Sequence, residues 1–379
     1  MSFWFLTSLL GCFVTGMLFL RYVAPWPLPV WQKTVLFAVF MIAGCALRLT
    51  GYGFERVFGD WFSLYRYSVY FIFIFCVILF TLTVARDIVW SAAAGLSKLG
   101  WFFDVPDIKN EKWLYRLNIG TIVLGFLCTA WSFYEGVRIP DVKVVEIPSA
   151  KIKQEYKIAV LSDLHIHRVL YPWKILCTVI QTNKLHPDII LLPGDILDDN
   201  VAKVEKSVKR LGSLHAKKGI FFVSGNHDFY AGHKDASSEM KKLGFHVVEN
   251  TGVSVGKDLF IGGIPDYFSS KRFGLPVDAK LAFKDAKPDQ YRILMSHSPV
   301  EFKQKGVFDL EVSGHTHGGQ IFPFHFIVKL FNKYLAGLHE MENGSKIYVS
   351  RGAGQWGPQM RFLAPSEITL IKLVPAKEG

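Results

Sequence analysis

The chain has 379 residues, half of them apolar, with 32 Phe, 32 Gly, 17 Pro and a formal net charge of +11. That composition excludes a disordered chain and a fibrous or low-complexity one. The totals are unevenly distributed. All 12 His fall from His165 onward, and four of the five Cys lie at or before Cys128. Residues 1–137 hold 10 Lys and Arg against 7 Asp and Glu, while the remainder holds 33 against 25. A membrane part joined to a soluble, ligand-rich part is the organisation this predicts.

From the N-terminus, four apolar segments approach the roughly 20 residues a helix needs to cross about 30 Å of hydrocarbon. They are Phe3 to Leu20, about Thr34 to Leu47, Tyr67 to Ala85 and Leu117 to Tyr134. The second is the shortest and reaches full length only if residues 31–33 lie in the interface. Trp26, Trp31, Trp61, Tyr65, Trp90, Trp113, Trp131 and Tyr134 sit near the ends of these runs, as in a headgroup belt. Arg21-Tyr22-Val23 is not a small-residue cleavage site, so the first run is expected to be a retained span. No ionisable residue lies deep in a span, which argues for anchoring over transport. Lys and Arg divide equally between the two sides. The N-terminus carries neither while Arg21 follows the first span, which leans the soluble domain outside the cytoplasm.

The segment 138–156 reads as a linker or first edge strand, and the soluble domain runs over 157–379. In this domain one pattern recurs: a short apolar run, then at once a polar cluster. The instances are KIAVLSDLHIH (157–167), DIILLPGDILDD (188–199), GIFFVSGNHDF (219–229), RILMSHSP (292–299) and DLEVSGHTHGGQ (309–320). Unalternating runs of four or five apolar residues predict strands buried on both faces. Trp173–Leu185, Val201–Leu214 and Lys234–Leu243 have helical spacing between them. Strands alternating with helices predict an α/β layered fold, in which ligands bind beyond the C-terminal ends of the strands. Every polar cluster falls at such an end. Together they supply Asp163, His165, Asp195, Asn226, His227, Asp228, His297, His315 and His317. Carboxylate, imidazole and amide donors suit divalent manganese, iron or zinc, and the lack of Cys among them argues against a structural zinc site. Gly194, Gly225 and Gly314 permit sharp turns before these residues.

The series D-x-H (163–165), G-D-x-x-D (194–198), G-N-H-D (225–228), His297 and G-H-T-H (314–317) resembles the calcineurin-like metallophosphoesterases, over about Lys157 to Leu373. The wording SDLH, GHTHGGQI, YLAG and YVSRGAG is most similar to the bacterial, membrane-tethered or exported branch. That branch includes relatives assigned to UDP-2,3-diacylglucosamine pyrophosphatase activity in lipid A synthesis. The resemblance implies a four-layer sandwich of two packed sheets flanked by helices, here preceded by the transmembrane region in a bacterial cytoplasmic membrane. It implies two divalent metals, manganese foremost, acting on a phosphate ester or pyrophosphate bond. Asp163, His165 and His317 would hold the first metal, Asn226, His297 and His315 the second, with Asp195 bridging and a shared hydroxide as nucleophile. His227 would be the general acid or a phosphate contact, with Asp228 either orienting its imidazole or capping the following helix. Asp198 is expected to support the site or a turn rather than ligate a metal.

Other residues are read more conservatively. His167 is expected on the rim, and His186, His215, His233 and His246 on the surface. RGAGQWGPQMR (351–361) offers Arg351 or Arg361 to a phosphate, or is a tight turn into the last strand. The aromatic stretch from Phe322 to Leu335, with Lys329 and Lys333, is core packing or an interfacial membrane and acyl-chain surface. The expected partners are the bilayer and an amphipathic phosphorylated substrate. The competing readings are a nuclease or nucleotide phosphodiesterase, disfavoured because the Lys are scattered with no basic aromatic stripe, and a non-catalytic membrane scaffold or sensor.

Overall fold

The computed structural model describes residues 3–50, 54–100, 111–169, 172–299 and 306–376. It divides into two units, Met1–Tyr134 and Glu135–Gly379.

The first unit is helical wherever an apolar run was read. Its principal helices are Phe3–Tyr22, Val30–Gly44 and Phe62–Lys98, and it holds most of Glu111–Val137. Among the described residues, two helices are long and apolar enough to cross a membrane, Phe62–Lys98 and Glu111–Val137. Two of the four expected spans meet that measure among the described residues. The helix read over 34–47 begins instead just after Pro29 and ends at Gly44. At 15 residues it covers only about 22 Å. The first helix, Phe3–Tyr22, has 20 residues and is uncharged as far as Leu20. Gly11 and Gly44 bring these two shorter helices together, since a Cβ on Gly11 would overlap the Gly44 carbonyl.

In the second unit the strands are β1 (Asp141–Ser149), β2 (Tyr156–Val160), β3 (Ile189–Pro193), β4 (Ile220–Val223), β5 (His246–Val247), β6 (Thr251–Val255), β7 (Leu259–Gly263), β8 (Tyr291–Met295), β9 (Leu310–Ser313), β10 (Gly337–Glu340), β11 (Lys346–Val349) and β12 (Glu367–Pro375). They form two mixed six-stranded sheets, ordered β1-β12-β2-β3-β4-β5 and β10-β11-β9-β8-β7-β6. Of the two readings for 138–156, the edge strand is the one observed. β1 pairs in parallel with β12 from Asp141↔Glu367 to Ser149↔Pro375.

Alternating side chains divide the core. Ile158, Val160, Leu191, Phe221 and Val223 of the first sheet pack with Leu259, Ile261, Ile293, Met295 and Val312 of the second. The intervening residues Ala159, Ile190, Leu192 and Phe222 face helices through Ile175, Val179, Val204, Val208 and Met240. The far side of the second sheet, Phe260, Leu294, Ile347 and Val349, is covered by Ala279, Ala282, Phe283 and Phe308. β2, β3 and β4 are parallel, as are β7, β8, β9 and β11, so the loops that follow them emerge in register at strand C-termini.

Candidate metal centre

Five strand ends build the site. β2 leads to Asp163 and His165, β3 to Gly194 and Asp195, β4 to Asn226 and His227, β8 to His297, and β9 to His315 and His317. Asp163, His165, Asp195, His315 and His317 all have positive φ, between 47° and 70°. L-residues avoid this region, and strain of this kind concentrates where a site is held in one geometry. Gly225 and Gly314 let the loops close on the carboxylates. A Cβ on Gly225 would overlap Asp195 Oδ1, and one on Gly314 would overlap Asp163 Oδ2.

The donor atoms form two clusters that meet at Asp195. In the first, His317 Nε2 lies 3.0 Å from His165 Nε2 and 3.5 Å from Asp163 Oδ1. In the second, His297 Nε2 lies 3.2 Å from Asp195 Oδ2, 3.2 Å from Asn226 Oδ1 and 3.3 Å from His315 Nδ1. Asp195 Oδ2 is also 3.7 Å from His165 Nε2. One carboxylate thus touches both groups. Within each of the triads Asp163–His165–His317, His165–Asp195–His227 and Asp195–His297–His315, one donor atom per residue lies within 4.8 Å of the others.

The surroundings prepare these atoms as ligands. His297 Nδ1 donates to Pro193 O at 2.9 Å, and His165 Nδ1 to Asp198 Oδ1 at 2.6 Å, so each ring presents its Nε2 lone pair to the cluster. Asp195 Oδ1 accepts from His227 N at 2.7 Å and Asp163 Oδ1 from His315 N at 2.9 Å, which fixes both carboxylates. Asp163 Oδ2 is buried and finds no hydrogen-bond partner among the described residues. A buried carboxylate oxygen without a donor, next to imidazole nitrogens packed 3.0 Å apart, is a donor set that a cation satisfies. Two sub-clusters sharing Asp195 fit two divalent ions.

The electrostatics agree. Burial disfavours the charged form of Asp195, but His297, His227 and His165 outweigh it and lower its pKa. Burial also opposes the His227 imidazolium, but Asp195 and Asp198 push it up to about 9. His317 is driven the other way, well below the ordinary value, by burial and then by His165 and Arg361.

All nine residues singled out in the sequence are brought to this region, but Asp228 is placed differently from one of its two expectations. Its carboxylate does not meet His227. It accepts instead from Ile196 N at 3.1 Å, Leu197 N at 2.9 Å and Gly225 N at 2.8 Å, tying the loop after β3 to the first turn of the helix Asn226–Lys242. Burial first, and then Asp195, push it up to about 7 against the pull of the Gly225 and Leu197 amides. Consecutive helix residues project about 100° apart, which is why Asp228 faces the core while His227 faces the cluster. The group that orients His227 is Asp198, whose Oδ1 lies 2.8 Å from His227 Nδ1.

Two further departures lie nearby. His167 is buried rather than on the rim, with Nδ1 accepting from Val169 N and Nε2 beside Gln359. Arg361 is fully buried and is spent on the carbonyls of Gly354, Ala364, Arg351 and His317, with its guanidinium 3.2 Å from His317 Nδ1. It organises the loop behind His317. Its signal in the sequence was only a late arginine in a glycine-rich stretch.

The sequence pattern of the calcineurin-like phosphoesterase family matches residues 156–319. A metallophosphoesterase of Helicobacter pylori, itself described only as uncharacterized, is 36% identical over 314 residues, 79% of this chain and 84% of that one. Another uncharacterized metallophosphoesterase, from Aquifex aeolicus, is 32% identical over 257 residues, 66% of this chain and 97% of that one. A transmembrane protein with metallophosphoesterase domain from Danio rerio is 27% identical over 279 residues, 69% of this chain and 64% of that one. The chain belongs to the calcineurin-like metallophosphoesterase family and is a metal-dependent phosphoesterase.

Proposed function

We propose that this chain is a membrane-anchored phosphohydrolase that uses two divalent cations, manganese first among them, to cleave a phosphate ester or pyrophosphate bond of an amphipathic, lipid-linked substrate. The observation that carries the reading is the pair of donor clusters meeting at Asp195 Oδ2, 3.2 Å from His297 Nε2 and 3.7 Å from His165 Nε2. Asp163, His165 and His317 would hold one ion, Asn226, His297 and His315 the other, with Asp195 between them. When bound, such ions neutralise phosphate charge and bring the pKa of water down towards neutrality.

The remaining work falls to the chain itself. His227 is half-buried at the edge of the cluster and is held through Nδ1 by Asp198. Its second nitrogen, Nε2, is the one assigned to hand a proton to the leaving oxygen. The Asp198 carboxylate favours the imidazolium that must precede this transfer. The five left-handed residues hold the donors in place before substrate arrives.

The helices Phe62–Lys98 and Glu111–Val137 support anchoring, as does the relative named a transmembrane protein. We take the two shorter helices as completing a four-span anchor in a bacterial cytoplasmic membrane. The charge pattern around the first span leans the catalytic domain towards the outside of the cytoplasm. A UDP-linked diacylglucosamine would require the opposite side, so the placement favours a lipid phosphate or pyrophosphate of the outer leaflet. The test is hydrolysis by the purified full chain, with manganese, of a lipid phosphate and a lipid pyrophosphate in mixed micelles. Phosphate release abolished by chelation supports the reading. DNA cleavage without lipid turnover overturns it in favour of a nuclease.

A further inference from the structure

The sequence left the aromatic stretch after the GHTHGGQ loop open between core packing and an exposed surface, and the structure shows a surface. Residues 324–331 form a helix none of whose side chains is buried. Phe326, Leu330 and Phe331 are 60%, 81% and 84% exposed, and with Ile327 they recur at the spacing of one helical face. Exposed Lys329 stands within the helix, which contains no acidic residue. Two loops pinned to the base of the helix add apolar surface. Trp356 exchanges hydrogen bonds with Gln320, and Phe362, next to the 73%-exposed Leu363, accepts from Phe322 N. The base is also tied to the metal centre, because His317 is followed by Gly318 and Gly319, and Gly319 packs directly on His325.

We propose that the helix Phe324–Phe331 lies in the surface of an anionic bilayer, with Phe326, Ile327, Leu330 and Phe331 in the acyl boundary and Lys329 among the headgroups. Three observations select a bilayer as the occupant. The helix pairs a continuous apolar face with a cation and no acid, which is complementary to anionic lipid. A tryptophan, the side chain most at home in the headgroup layer, borders it. The same chain carries helices long and apolar enough to cross a membrane, and the last of these ends at Val137, only three residues before β1. Docking there would set the His315–His317 loop at headgroup height. Only this use of the docking rests on the phosphohydrolase reading; the docking itself does not.

The test uses the full chain reconstituted in phosphatidylcholine–phosphatidylglycerol vesicles, with a nitroxide at Phe331→Cys and a control label at Lys203→Cys, an exposed position on the helix Val201–Val208. The chain without either substitution supplies the background from native cysteines. The expected result is a label at 331 that is relaxed by oxygen and shielded from a water-soluble nickel chelate, with the opposite at 203. Equal chelate access at both sites overturns the proposal. In the same vesicles, Leu330→Asp with Phe331→Asp should lower turnover of a lipid phosphate about tenfold or more and leave a soluble aryl phosphate within about twofold. Equal fractional changes on both substrates overturn it. So does conversion of a dimer to a monomer by those substitutions, which would assign the face to a second copy. A shielded label in a wild-type chain that hydrolyses neither substrate supports the docking and refutes the phosphohydrolase reading.

Discussion

The carboxylate of Asp198, not that of the chain neighbour Asp228, meets the imidazole of His227, with Oδ1 and Nδ1 2.8 Å apart. The same oxygen lies 2.6 Å from His165 Nδ1, so one side chain aligns a candidate ligand and the candidate proton donor. Asp198→Asn should therefore lower kcat about a hundredfold while leaving the melting temperature nearly unchanged. Asp228→Asn should do the reverse. It weakens three backbone contacts and should cost about 1–3 kcal/mol of stability, a drop of several degrees in melting temperature, with a far smaller loss of kcat per folded molecule. Steady-state kinetics and thermal melts of both variants check the assignment. A larger kcat loss in Asp228→Asn would reverse it.

That distinction also marks where sequence reasoning reaches its limit. The strand ends were legible because IAVL, IILL, IFFV and ILM are apolar without alternation, and each is followed closely by its polar cluster. The choice between two carboxylates for His227 was not, because Asp228 is nearer in sequence while Asp198 arrives from another loop. Composition likewise could not tell whether Phe326, Leu330 and Phe331 pack inward or stand in solvent, since an amphipathic pattern serves both. The apolar run over 34–47 is the shortest of the four, and its helix takes in residues 30–33 but ends at Gly44, so it stays at 15 residues. The role of Pro193 in fixing His297 uses a backbone carbonyl, which no side-chain motif announces.

Gly225 carries the close approach of the β4 loop to Asp195. Gly225→Ala would set a methyl group on Asp195 Oδ1 and its backbone nitrogen, forcing the shared carboxylate out of position. Metal affinity should fall about 10- to 100-fold, as seen when a ligand's support is removed. Calorimetric titration with manganese measures this. Unchanged affinity would show that the carboxylate tolerates the shift.

Lys174 should leave a signature in the pH dependence of stability. It is buried, donates to Gly136 O, and is held well below the usual lysine value of 10.5 by burial and then by Arg361 and Arg138. The unfolded chain therefore binds this proton more tightly than the folded one, so stability rises with pH from the depressed value up to about 10.5. Lys174→Met, with Gln355 still donating to Gly136 O, should remove that rise and raise the melting temperature at neutral pH. Melts of the full chain in detergent from pH 7 to pH 10 read both effects. A wild-type melting temperature that falls steadily across this range, with the variant parallel to it, would contradict the assignment.

The central claim is that two cations sharing Asp195 make this chain a phosphohydrolase. Its most direct test is the rate of p-nitrophenyl phosphate hydrolysis by the chelator-stripped full chain during titration with manganese, with bound metal counted in the same samples. The account predicts no rate without metal, full rate only as the second equivalent binds, and loss of that second equivalent together with activity in Asp195→Asn. Hydrolysis that survives chelation, or full activity at one bound ion in the wild type, would contradict it.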